Sequence, residues 1–211
     1  MDFVLATFNP DKLRELRALL ALPGLALTAL SDVPGAVAPA ESGASLRENA
    51  LLKARAARAL TGRPALADDT GLEVDALGGR PGPHAGRFAG PGATYADNRA
   101  RLLDELRGVP PARRGARFRC VCVAILPDGR ELVTEGVLEG RITFAPRGEN
   151  GFGYDSLFEV GETGRTLAEM SEDEKNLLSH RAQAVRSLAA RLAEALPELG
   201  AGGTRVQGTS G

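Results

Sequence analysis

FVLATFNPDKLRELRALL, residues 3–20, decides the fold class. Residues 3–6 are a short apolar run of the kind a buried strand needs. Asn9 followed by Pro10 is a helix start. An Asn side chain caps free backbone N–H groups, and proline at the first helical position has no N–H to leave unpaired. Leu13, Leu16 and Leu20 recur at helical spacing and give that helix one apolar face, and Pro23-Gly24 stops it. A strand feeding directly into a helix begins an α/β chain.

Working outward, residues 31–44 are rich in Pro, Gly, Ala and Ser and read as a loop. SLRE at 45–48 spells a capping box that opens a second helix, along which Ala50, Ala54 and Ala57 permit close packing. Gly62 and Pro64 end it. Residues 64–67 read as a short strand, with Asp68-Asp69-Thr70-Gly71 as the turn after it. Residues 78–93 carry many Gly and Pro, and a third helix is expected over 94–107. Residues 116–126 and 131–138 form a hairpin through Pro127-Asp128-Gly129. A glycine-aromatic segment covers 148–158. A capping box at 171–174 precedes a final amphipathic helix marked by Val185, Leu188, Ala189, Leu192 and Leu196. The order is that of one mixed α/β domain over 1–199, with antiparallel strands in the middle. The Gly-, Thr- and Ser-rich tail, 200–211, is expected to be disordered.

The chain has 211 residues, 43% apolar and 25% charged, with a formal net charge of -1. It is long enough to bury a core without staples. No overall basic field draws it to nucleic acid, so any phosphate ligand must meet a local cluster. Cys120 and Cys122 stand two apart in RFRCVCVAIL and would share one face of a strand, a poor geometry for a disulfide. No CxxC pair or His-rich tract suggests zinc. MDFVLATFNPDK lacks the pattern of a secretory signal, and no apolar stretch is long enough to span a bilayer. The expectation is a cytoplasmic protein without a membrane or nucleic-acid partner.

Five segments can carry chemistry. Thr7, Phe8, Asn9, Pro10, Asp11 and Lys12 lie where a strand meets a helix N-terminus, whose free N–H groups and dipole suit phosphate. Lys12 is disfavoured there by the dipole and is better explained if an anion shares the site. This is not a Walker P-loop, since G-x-x-x-x-G-K-[ST] is missing. Asp68 and Asp69, directly after a strand, offer oxygen ligands to magnesium or a carboxylate to orient water, though Asp and Gly are also ordinary turn residues. Asn49 and Lys53 share a helix face, with Glu41 in the preceding loop. Phe152, Gly153, Tyr154 and Asp155 form a platform on which a base can stack. Lys175, His180 and Arg181 supply three donors suited to a purine carbonyl or to phosphate. His84 reads as an exposed loop residue.

ATFNPDKLRELRALL, SLRENALLKARAA, ALADDTGLEVDALGGRPG, GENGFGYDSLF and TLAEMSEDEKNLLSHRAQA follow one another in this order. Together they resemble the inosine triphosphatase family, the pyrophosphatases that clear dITP and XTP from the nucleotide pool. The resemblance implies a long curved mixed sheet flanked by helices, two lobes with a central cleft, and a homodimer. It implies hydrolysis of ITP, dITP, XTP or dXTP to the monophosphate and pyrophosphate. Thr7 to Lys12 and Lys53 would meet the triphosphate. Glu41 and Asp69 would hold Mg2+, Asp69 serving also as catalytic base. Thr70 would touch substrate, Phe152 to Asp155 would stack the base, and Lys175, His180 and Arg181 would read its 6-keto group. Phe8 stands where the family usually has a small or polar residue, Thr70 replaces the commoner serine, and Ala85-Gly86-Arg87 replaces a small-residue pair before the arginine. Two rival readings are a Maf-like pyrophosphatase, whose N-terminal turn differs, and a module that binds nucleotide or RNA without hydrolysis.

Overall fold

The N-terminal apolar run becomes strand β1, Asp2–Leu5, in a computed structural model that describes residues 1–161 and 163–199. The tail expected to be disordered lies outside the described residues. Helix α1, Pro10–Leu19, begins at Asn9, whose side chain accepts from the backbone N–H groups of Asp11 and Lys12. β1 pairs in parallel with β2, Ala26–Ala29, on one side and with β3, Ala65–Val74, on the other. β3 pairs antiparallel with β5, Gly115–Ile125, and with the two-residue β4, Pro81–Gly82. β6, Glu131–Ile142, and β7, Phe158–Val160, complete a seven-stranded mixed sheet. It curls, and five helices flank it. These are α1, α2 (Leu46–Thr61), α3 (Tyr95–Glu105), α4 (Glu172–Leu178) and α5 (His180–Ala195).

The expected hairpin forms, and β6 runs four residues past its predicted end, where Gly140 and Arg141 pair with Ala116 and Gly115. β2 and β7 were not anticipated. Both are short edge strands whose sequences lack a run long enough to show a period. The final helical region is two helices, broken at Ser179, whose side chain caps α5 by accepting from the Ala182 N–H. That break puts His180 and Arg181 in the first turn of α5.

The larger correction concerns Asp68-Asp69-Thr70-Gly71, which is not a turn. β3 continues through it, paired residue for residue with β5 from Ala65 opposite Ile125 to Val74 opposite Ala116. A ten-residue ladder outweighs the turn preference of Asp and Gly, and neighbouring cations compensate the buried acids. Because strand side chains alternate, Asp68 and Asp69 point to opposite faces. Asp68 shares its face with Leu66, Cys120 and Cys122, beneath α1 and α5. Asp69 shares the other with Ala65, Ala67, Val121 and Val123, beneath α2. A third apolar cluster, with Leu72, Phe118, Leu102 of α3 and Phe158, fills the other lobe. The two cysteines are free and buried, as small core residues should be.

α5 lies unusually close to β6 at Gly136. A Cβ there would stand 2.1 Å from the His180 carbonyl oxygen and 2.7 Å from the Ala184 nitrogen, both backbone atoms. Gly136→Ala must therefore push the first turns of α5 off the sheet. A cost of about 1–3 kcal/mol is expected, the scale of overpacking. Denaturant unfolding checks it, and a midpoint equal to wild type would show that the approach is not tight.

Candidate active site

A cleft of ≈ 290 Å³ opens between the lobes, lined from both. At one end lies the turn from β1 to α1. Thr7 is buried and its hydroxyl accepts from the Asn9 N–H at 3.2 Å. The Lys12 ammonium lies 3.2 Å from Asp68 Oδ2. Phe8 is 40% exposed at the cleft wall. Pro10 and Asp11 do not line the cleft. Pro10 serves as the first residue of α1, and the Asp11 carboxylate meets Arg14 at 3.1 Å on one oxygen and the Tyr95 hydroxyl at 3.2 Å on the other.

Lys53 projects from α2 to the same end. Its Nζ donates to Asp69 Oδ1 at 2.7 Å and to Glu41 Oε1 at 3.1 Å. Asn49, one turn earlier, donates to Asp69 Oδ2 at 3.2 Å and accepts from the Gly43 N–H at 2.9 Å. It thus ties the strand to the loop that carries Glu41. Burial pushes the Asp69 carboxyl above the ordinary aspartate range, and Lys53 offsets only part of this. Burial opposes the charge on Lys53, yet Asp69, Asp68 and Glu41 hold its pKa above the usual value. Burial would also raise Glu41, but Lys53, Lys12 and Arg87 outweigh it and keep Glu41 ionised.

At the other end Asp155 Oδ2 accepts from Lys175 Nζ at 2.7 Å and from the Phe152 N–H at 3.0 Å. Both bonds fall on one carboxylate oxygen and order the loop that carries Phe152. Gly151 makes this possible: its φ is +73°, and a Cβ would meet Asp155 Oδ2 at 2.1 Å. Tyr154 is a core residue, 5% exposed, with its hydroxyl donating to the Ala85 carbonyl at 2.9 Å. Phe152 is the half-buried ring, with Lys175 Nζ 5.3 Å and Arg181 Cζ 5.6 Å from its centroid. His180 stacks on Phe118 at 4.6 Å and 14°. Burial, with Arg181 and Lys175 nearby, holds His180 well below its usual pKa, so it is neutral. Arg181 is bound to acids: its guanidinium donates to Asp68 Oδ2 at 3.3 Å, to Thr70 Oγ1 at 3.0 Å, and to Glu15.

Among the described residues, no group of three or more His, Cys, Asp or Glu side chains could hold a metal ion. No helix there is long and apolar enough to cross a membrane. His84 is exposed, as expected.

The sequence pattern of the Ham1 family matches residues 3–191. This chain belongs to the Ham1 family. It is 49% identical over 187 residues to a dITP/XTP pyrophosphatase of Geobacillus kaustophilus, covering 89% of this chain and 92% of that one. It is 51% identical over 196 residues to a dITP/XTP pyrophosphatase of Symbiobacterium thermophilum, covering 93% and 95%. The solved Ham1 protein of Staphylococcus aureus superposes with a TM-score of 0.83 at 34% identity, covering 92% of this chain and 100% of that one.

The Ham1 fold of this chain also brings in residues that sequence reasoning missed. Glu15 joins Lys175 at 2.7 Å and Arg181, linking α1 to α4 and α5. Burial would raise Glu15, but Arg181 and Lys175 outweigh it and keep it charged. The signal was present, since Glu15 stands three residues after Lys12 and shares its helix face. Asp68, expected to shape a turn, instead holds Lys12 and Arg181 together from beneath the cleft. Burial opposes its charge, but Lys12, Arg181 and Lys53 drive its pKa well below the ordinary range. Arg87 reaches Glu41 at 3.1 Å. Nothing in the local sequence around Arg87 marks that contact.

Proposed function

We propose that this chain hydrolyses dITP and XTP, and their ribo or deoxy counterparts, to the monophosphate and pyrophosphate. The observation that carries this reading is one cleft with two unlike ends. Lys12, Lys53, Glu41 and Asp69 stand at one, and Phe152 with Lys175, His180 and Arg181 at the other. The names of the Ham1 relatives support the same substrate class. A triphosphate lies with its charge against the two lysines, which offset the repulsion that a nucleophile meets and stabilise charge on the departing pyrophosphate. Asp69, made more basic by burial, orients the attacking water and accepts its proton. A 6-keto purine offers an acceptor to the donors beside Phe152, where adenine sets an amino donor against them.

Magnesium belongs to this proposal. Glu41 and Asp69 are oxygen donors that converge on Lys53 Nζ. Two carboxylates plus substrate phosphates suit a cation that keeps few protein ligands. When bound, it would neutralise phosphate charge. Excess EDTA should abolish dITP hydrolysis and added magnesium restore it, whereas full turnover in EDTA would remove the metal from the reaction. The resemblance further supports a homodimer acting on the cytoplasmic nucleotide pool, for which sedimentation is the test of assembly. Product analysis tests the reaction itself. Equal amounts of dIMP and pyrophosphate, without orthophosphate, are expected from dITP. Orthophosphate with dIDP would assign cleavage to the wrong bond.

A further inference from the structure

α3 turns one face to the cleft. Tyr95, Asn98 and Arg99 stand at i, i+3 and i+4, so they share that face, while Leu102 is fully buried and fixes the helix's rotation. Asn98 and Arg99 bind their own lobe. Asn98 accepts from the Ala89 N–H at 2.8 Å and donates to the Gly86 carbonyl at 3.1 Å, and Arg99 donates to the Gly153 carbonyl at 2.9 Å. Tyr95 reaches the other way. Its hydroxyl accepts from Asn9 Nδ2 at 3.0 Å and donates to Asp11 Oδ2 at 3.2 Å. Its ring meanwhile lies 5.8 Å from that of Phe152, tilted by 39°. One side chain therefore touches both the turn that opens α1 and the ring beside Lys175 and Arg181.

A tyrosine kept for packing is buried, as Tyr154 is at 5% exposure. Tyr95 is 39% exposed and lines the cleft. We propose that Tyr95 is a substrate-positioning residue of this site, one that meets the nucleoside rather than the phosphates. Its ring walls the cleft where sugar joins base. With its hydroxyl on Asn9 of the phosphate end and its ring beside Phe152 of the base end, it holds the two one nucleoside apart. The inference rests on the proposed function, and its ligand is a purine nucleotide whole enough to reach both ends. Pyrophosphate, which occupies one end alone, should not feel the loss of Tyr95, because Asn9 still caps α1 through its own Oδ1.

The test uses Tyr95→Ala and Tyr95→Phe in the full chain, with steady-state kinetics on dITP, calorimetric binding of pyrophosphate and of dIMP, and thermal melting. Tyr95→Ala should raise KM for dITP about tenfold or more, the worth of one lost aromatic contact to a nucleoside. Its kcat should stay within about threefold, and pyrophosphate affinity and Tm close to wild type, as for an exposed position. Tyr95→Phe, which keeps the ring and loses the hydrogen bonds, should give a smaller rise, about two- to tenfold. An unchanged KM in Tyr95→Ala would overturn the inference. So would a lowered Tm with kcat alone reduced, the mark of a packing role, or a pyrophosphate affinity that falls as far as that for dITP. If wild-type protein does not cleave dITP, the proposed function fails and dIMP binding still decides Tyr95. About tenfold weaker binding by Tyr95→Ala supports the wall, equal binding overturns it, and no binding by wild type overturns both.

Discussion

Asp69→Asn is expected to cut kcat for dITP by about a hundredfold or more while leaving the fold in place, the scale of losing a carboxylate that serves as base or metal ligand. The separation of the two effects follows from the strand. Asp69 accepts from Lys53 on one oxygen and from Asn49 on the other, and an asparagine oxygen keeps one of these two bonds. Lys53 also keeps Glu41, so its buried ammonium is not left without an acid. Burial already makes the Asp69 charge unfavourable, hence removing that charge relieves a cost. The sign follows: a carboxyl whose pKa is raised on folding subtracts stability above its unfolded pKa, so the neutral variant should melt within a few degrees of wild type. Rates and melting curves of the purified variant check both halves. Near-normal kcat would take Asp69 out of the chemistry, and a large drop in Tm would make it a structural residue.

Arg181→Ala should do the reverse in stability and also change selectivity. The guanidinium is 3% exposed and lies between Asp68 and Glu15, each of which it helps keep ionised. Its loss strands part of two buried negative charges, although Lys12 and Lys175 each retain one acid. About 3 kcal/mol is the expected cost, from the low end for breaking a buried pair. For a chain of this size that is a fall in Tm of roughly 6–12 °C. The ratio of kcat/KM for dITP over dATP should shrink by about one to two orders of magnitude, because a charged donor beside the base is gone. Lys12→Ala is the control: a phosphate contact is common to both nucleotides, so the ratio should hold while both rates fall. A stable Arg181→Ala protein with an unchanged ratio would dissociate Arg181 from both roles.

Much of this was legible in the sequence because it is local. The Asn9-Pro10 cap, the hairpin through Pro127-Asp128-Gly129 and the capping box at Ser171 are encoded in adjacent residues, and each forms. The cleft gathers Thr7, Phe8, Asn9, Lys12, Glu41, Lys53, Asp69 and Thr70 with Phe152 to Asp155, Lys175, His180 and Arg181. What was not legible depends on contacts distant in sequence. Whether Asp68 and Asp69 form a turn or a strand is decided by the pairing of β3 with β5, fifty residues on. That pairing sends the acids to opposite faces and gives them different partners. Asp155 and Arg181 likewise look like free groups in the sequence, and only the fold shows Lys175 on the one and Asp68 with Glu15 on the other.

The central claim is that the donors beside Phe152 select 6-keto purines for cleavage at the phosphate end. The most direct measurement is pyrophosphate release by the wild-type protein with dITP and dATP under identical magnesium. The account predicts kcat/KM for dITP at least about a hundredfold above that for dATP, the discrimination expected when the wrong base sets an amino donor against the site's own donors. Equal rates on the two nucleotides would contradict it.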